Sequence, residues 1–323
     1  MRKKSERRIT MQITEFGLRV KELLEERISE EYELINNSII KANDTIHIAI
    51  SVRKRGGNIA KNIYLEQYYE KYKEGYQMDR IIDDILMEAV KDTEITNNEY
   101  VTNILKSISD YEQIKEKITI RLINREMNQK YLEDKIYKTY LDFAIVFQII
   151  IVGPDTDMAT ICISKQMFEK WGVSLEELYT RALENSEGLL PPNIRAIEDV
   201  IMGMMDNMEQ GASDLGIEES LSKMTTPLYV LTNISKNKGA ATIMYNNVLK
   251  DFAISNLVEE VIIIPSSTEE VLLIPKKAEL DISESMCKEM LLGVNDTIEA
   301  DIILSNNIYV YSINTNELRI YNE

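Results

Sequence analysis

The sequence predicts an α+β fold with mixed, largely antiparallel sheets, flanking helices and two sub-domains. Helical and strand periodicities alternate along the chain. Several strand pairs are joined by turns too short for a parallel crossover. The 323 residues are 44% hydrophobic and 28% charged, which leaves apolar surface for a sizeable core. Residues 1–30 read as an N-terminal helix with a basic start, 31–137 as an α+β region, and 138–323 as an α+β domain with an acidic surface.

Residues 11–30 form the first expected helix, with Ile13, Phe16, Leu18, Val20, Leu23 and Leu24 interleaved with charges. Thr45 to Val52 alternates, which sets Ile46, Ile48, Ile50 and Val52 on one strand face. Arg55-Gly56-Gly57-Asn58 signals a hairpin turn, because glycine accepts positive φ, and 59–65 returns as the partner. Helices follow at 65–74, stopped by Gly75, and at 78–90. A strand at 117–123, a helix at 125–137, and strands at Tyr140–Val152 and Ala159–Ser164 come next, the last two joined by the turn at 153–157. A short helix starts at 165. Ser174, with Glu177 three residues on, makes a capping box for the next helix, and Pro191-Pro192 breaks the chain after it. A Met-rich helix near 195–208 precedes a polar stretch at 209–226. Then come strand 227–233, loop 234–239, helix 240–254, strands 259–264 and 271–274, helix 282–293 and a hairpin at 307–321.

With 37 basic and 54 acidic residues, the net charge is −17. Residues 174–226 hold 11 acids and 3 bases, and 255–323 hold 13 and 4, so the deficit lies in the C-terminal half. Duplex binding needs a basic face that displaces counterions, so direct nucleic-acid binding is not expected. The acid excess serves a solvated surface, a basic protein partner or an imitation of nucleic acid. Cys162 and Cys287 are too few for a disulfide framework and point to a reducing cytoplasm. The longest apolar run, Phe143–Val152, falls short of the roughly 20 residues of a helical span, so no membrane association is expected. The basic start lacks a signal-type apolar run, and either Met1 or Met11 serves as the start.

His47 is the only histidine, so any Ser–His–Asp or Cys–His site must use it, yet the alternation turns it outward as an ordinary strand residue. One histidine and two distant cysteines do not compose a zinc site. Asp142, Asp155 and Asp157 are the carboxylates open to magnesium, and the turn-forming role of Asp fits them better. Glycine-rich phosphate cradles are absent. No catalytic residue, metal or cofactor is therefore assigned.

Two segments offer groups to a ligand. The loop 232–239, with Asn233, Lys236, Lys238 and Gly239, follows an apolar strand and opens a helix at Ala240, whose free N–H groups attract anions. The turn after Pro265 presents Ser266, Ser267 and Glu270 between two wholly apolar runs. Tyr64, Tyr68 and Tyr72 recur at helical spacing, a stripe that either packs on a neighbouring sheet or meets a partner. Cys287, among Met286, Met290 and Leu291, reads as a core residue, and Cys162 as packed in a strand.

Four stretches together resemble one family: Asn62–Tyr69, Leu141–Phe147, Trp171–Tyr179, and the pair Leu231–Ala241 with Ile264–Val271. They are similar to domain-of-unknown-function family 5688, from about residue 45 to the end. The resemblance implies a cytoplasmic protein of gut clostridial and related bacteria, often found near mobile elements, and carries no activity. A histidine often stands in that family where this chain has Glu269, which weakens any shared catalytic role for the turn. The expected function is a non-catalytic, protein-binding accessory factor of mobile elements, with inhibition of a host defence system as one form of it. The rival is an enzyme or small-ligand sensor whose pocket is formed by the 232–239 loop and the 266–270 turn. It requires those segments to touch. A third reading is a nucleic-acid mimic.

Overall fold

Every strand pairing among the described residues is antiparallel. The computed structural model describes residues 11–57, 60–91, 103–104, 106–152, 158–206, 226–278 and 282–321. The chain divides into two compact units, 1–41 with 45–105, and 42–44 with 106–323.

The first unit holds α1 (Ile13–Glu25), β1 (Tyr32–Ile40), β2 (Ile46–Lys54), β3 (Ala60–Tyr64), α2 (Glu66–Lys73) and α3 (Met78–Lys91). β2 is the central strand of a three-stranded sheet. The alternation of β2 brings Ile50 opposite Ile63 and Val52 opposite Leu34. These residues bury against Phe16, Val20 and Leu24 of α1 and Ile81, Ile82 and Ile85 of α3. Ile46, at the strand end, stays exposed. The N-terminal helix thus belongs to this core and is not a separate piece. Its Gly17 is close-packed: a Cβ there would lie 3.2 Å from Leu65 and 3.3 Å from Ile48. The positive φ of Gly75 lets the chain leave α2.

The second unit opens with α4 (Tyr111–Ile114), β4 (Ile118–Asn124), β5 (Tyr137–Tyr140), β6 (Phe143–Val152), β7 (Met158–Cys162), α5 (Lys165–Trp171) and α6 (Leu175–Leu189). β4 pairs along one edge of β6, while β5 and β7 take the other edge in succession, opposite 143–146 and 148–152. The expected boundary near 137 therefore falls inside this unit, because β4 and β6 share one ladder. The free edge of β4 is closed by α6. Ile120 N–H donates to Ser186 Oγ (2.9 Å), and Ile118 O accepts from Asn185 Nδ2 (2.8 Å). Satisfying edge groups in this way prevents pairing with another chain.

The unit continues with β8 (Pro192–Ala196), α7 (Ile197–Asp206), β9 (Tyr229–Asn233), α8 (Val248–Ser255), β10 (Glu260–Ile264), β11 (Val271–Pro275), α9 (Glu284–Asn295), β12 (Tyr309–Ser312) and β13 (Glu317–Ile320). The six-stranded sheet runs β13-β12-β10-β11-β9-β8. Strands β10 and β11 are buried on both faces, as their unbroken apolarity predicts. Val200 of α7 and Cys287 and Leu291 of α9 pack on Val230, Ile262 and Ile274. Strand β8 was not expected. As the edge strand it tolerates its leading proline.

Two expected helices differ. Residues 125–134 form successive turns instead of a helix. Side chains take the backbone donors there: Asn124 Oδ1 accepts from Glu126 and Met127 N–H, and Asp44 accepts from Lys130 and Tyr131 N–H. The fully buried Asn128 exchanges two 2.7 Å bonds with Asn43, whose amide reaches Ala300 and Ile303 carbonyls. This network ties residues 42–44 to the second unit. The expected helix at 240–254 splits into a 3₁₀ turn, Gly239–Met244, and α8, at Asn247 in the left-handed region. The turn at 153–157 and nearly all of 209–226 lie outside the described residues. No described helix is long and apolar enough to cross a membrane.

Candidate functional site

The 232–239 loop and the 266–270 turn come together at the ends of β9 and β11. Antiparallel pairing of these strands forces the meeting, since Leu231 lies opposite Val271. Lys238 donates its N–H to Glu269 Oε2 (2.7 Å) and its ammonium to Oε1 (2.5 Å). Thr232 Oγ1 donates to Glu269 O (2.8 Å), and Ala240 N–H to Thr268 O (3.2 Å). Gly239 sits in the seam. A Cβ there would lie 2.1 Å from Thr232 Oγ1, 2.6 Å from Glu269 O and 2.7 Å from Asn233 N.

Most groups that the sequence offers to a ligand are engaged within these segments. Asn233, 1% exposed, donates to Asn237 O (2.8 Å) and accepts from Ser235 Oγ (2.8 Å). This folds the loop back and sustains the left-handed Lys236 and Lys238. Ser266 Oγ donates to Glu270 O, and Ser267 Oγ accepts from the Glu269 and Glu270 N–H groups. Ala240 does not open an α-helix, because its segment is a short 3₁₀ turn with its N–H on Thr268. The anion-attracting helix start expected there is absent.

The two adjacent carboxylates differ. Burial would raise the pKa of Glu269, but the Lys238 ammonium and N–H, with Thr268, outweigh it and hold it below the usual carboxylate range. Burial pushes Glu270 up. Arg195 opposes this, Glu269 adds to it, and Lys236 again opposes it. The charges acting on Glu270 are thus Arg195, Glu269 and Lys236, while the direct ion pair at this junction is Lys238–Glu269.

Of the tyrosine stripe, Tyr68 is taken up within its own unit, while Tyr64 and Tyr72 are half-buried. Tyr68 is buried with its hydroxyl on Glu88. Tyr72 lies 5.3 Å from the Phe16 ring, and Tyr64 meets His47 edge-on beneath the Lys41 ammonium. Tyr68 therefore has no open face to give a partner. His47 is 3.5 Å from Glu66. Asp142 accepts from Tyr309, Ser305 and Asn307, and Asp155 and Asp157 lie outside the described residues. Cys287 is buried, and the Cys162 thiol meets the Tyr131 hydroxyl at 3.2 Å.

Sequence reasoning missed Leu257. Helix α8 ends in a Schellman turn: Val258 N–H bonds Ala253 O and Leu257 N–H bonds Ile254 O, both at 3.1 Å. That turn places residue 257 in the left-handed region (φ 56), where glycine is the usual occupant. Here it holds a leucine that is 93% exposed, beside Ile254 at 51%. Asp251 and Glu259 are exposed nearby, and an open cleft of about 800 Å³ runs from Asn256–Glu260 to Lys276–Ala278. The signal in the sequence is an apolar residue where a helix end calls for glycine.

No curated protein and no solved structure matches the chain. The model of the Family of unknown function (DUF5688) matches residues 13–313, nearly the whole chain, and the chain belongs to that family.

Proposed function

We propose that this is a non-catalytic binding protein whose second unit docks a basic protein partner through Leu257. The observation that carries this reading is that Leu257 breaks two physical rules at once. A branched side chain in the left-handed region costs about 1–2 kcal/mol, and a large exposed apolar side chain gains nothing from folding. A side chain that stands against both points to function. The partner supplies an apolar pocket for Leu257, with cations facing the exposed Glu259 beside it and a charge opposite to the −17 of this chain. We place this activity in the cytoplasm, in an accessory factor of mobile elements such as an inhibitor of a host defence system. The test is affinity capture from cells that naturally carry the protein, with wild type and Leu257→Asp side by side. The reading expects a stoichiometric basic protein that the variant loses. A capture that Leu257→Asp leaves unchanged overturns it.

A second reading, an enzyme or small-ligand sensor at the 232–239 and 266–270 junction, is favoured by the direct contact of the two segments through Lys238 and Glu269. It expects Lys236→Ala or Lys238→Ala to weaken binding of a small ligand while docking through Leu257 persists.

A further inference from the structure

One face of the four-stranded sheet carries a polar row beside an apolar cluster. Thr119 of β4 lies opposite Gln148 of β6, which lies opposite Cys162 of β7. Directly opposed residues share a face, and so does Arg121, two residues on from Thr119. Around them the same face packs Ile123, Ala144 and Val146 with Leu132. The Tyr131 hydroxyl stands over Cys162 at 3.2 Å, within the field of Arg121.

Three atoms of this row are buried without a hydrogen-bond partner: Thr119 Oγ1, Arg121 Nε and Gln148 Nε2. Thr119 is fully buried and Gln148 is 2% exposed. Buried polar groups are nearly always paired, so three orphans in adjacent positions mark a missing partner. Arg121 also forms no ion pair with a described carboxylate. The orphan nitrogens are donors, and Thr119 and Tyr131 add hydroxyls that can donate. What fits is an acceptor with one negative charge.

We propose that Arg121, Gln148 and Thr119 bind a small monocarboxylate. A carboxylate has only acceptors, and its planar fork matches a guanidinium. One cation balances one negative charge, which favours a carboxylate over a phosphate dianion. Water supplies no charge and brings donors of its own. Neither Leu257 nor the 232–239 loop is part of this site.

The test uses the full chain, with sodium acetate as the probe and sodium chloride at equal ionic strength as the reference. Two readouts are followed: thermal unfolding by Trp171 fluorescence, and alkylation of Cys162 by iodoacetamide with buried Cys287 as internal reference. Acetate at ten times its dissociation constant slows Cys162 alkylation about tenfold and raises the unfolding midpoint, because it binds the folded state alone. Inorganic phosphate at the same concentration does less. Gln148→Glu supplies a carboxylate diagonally across from Arg121. It unfolds at a higher temperature than wild type in chloride and no longer responds to acetate. If that variant fails to fold, Arg121→Gln takes its place and also loses the acetate response. Identical behaviour of wild type in acetate and chloride overturns the proposal, and so does an acetate response that survives in both variants.

Discussion

Replacing Gly239 with alanine tests whether the loop and the turn are one welded junction. The added Cβ would stand 2.1 Å from Thr232 Oγ1, 2.6 Å from Glu269 O and 2.7 Å from Asn233 N. The first neighbour can rotate away, but only by giving up its bond to Glu269 O. The other two are backbone and cannot turn aside, so the loop and the turn must separate. That strains the Lys238–Glu269 and Ala240–Thr268 bonds. Overpacking costs about 1–3 kcal/mol and a buried group left unpaired a similar amount, so the variant loses about 2–5 kcal/mol. At roughly 2–4 °C per kcal/mol for a unit of this size, the midpoint falls by roughly 4–20 °C. Urea unfolding followed by Trp171 fluorescence reads this directly, since the only tryptophan lies in the second unit. Gly188→Ala, with open space at its Cβ, is the matched control and is neutral or slightly stabilising. A Gly239→Ala protein within about 0.5 kcal/mol of wild type, the range of a plain surface change, would refute the reasoning.

Further outcomes follow from the same unit. Glu269 and Glu270 drive stability in opposite directions with pH. The pKa of Glu269 is lowered by folding, so its contribution is present above the ordinary carboxylate range and lost as pH falls through the lowered value. The pKa of Glu270 is raised, so its contribution declines as pH rises from the ordinary value through the raised one. Glu269→Gln therefore unfolds at lower urea than wild type at neutral pH, with the gap narrowing in acid, while Glu270→Gln unfolds at higher urea at neutral pH. Asn128→Ala strands the groups it bonds on Asn43 and Asn124 and lowers unfolding free energy by about 2–4 kcal/mol. A change below about 1 kcal/mol, the size of one ordinary hydrogen bond, would deny that network its role in holding 42–44 to the second unit.

Where one local rule decides, the sequence is readable. The Ser174 cap and the apolar runs of β10 and β11 fold as expected, and the alternation of β2 buries Ile50 and Val52, although Ile46 is exposed at the strand end and Ala49 and Ser51 are buried as well. The meeting of 232–239 with 266–270 was expected as the requirement of a pocket, and the two segments touch. What failed needed distant partners. Residues 125–134 have helical composition, but Asp44, far away in sequence, takes their backbone donors. The 240–254 helix is interrupted because Ala240 bonds Thr268 across the junction and Asn247 turns left-handed. The tyrosine stripe was legible as a stripe, but its occupants, Phe16 and Glu88, were not. Leu257 and the row from Thr119 to Cys162 escaped notice because each is defined by conformation or register, not by residue type.

The docking role of Leu257 is tested most directly by one variant measured twice. Leu257→Gly removes left-handed strain worth about 1–2 kcal/mol and adds the unfolded-state freedom of glycine, about 0.5–1 kcal/mol, so the protein gains up to about 1.5 kcal/mol in urea unfolding. Its affinity for the captured basic partner, measured by titration calorimetry, drops about tenfold or more, as expected for an anchoring side chain. Greater stability together with weaker binding is the predicted pair. Greater stability with undiminished binding would contradict the account.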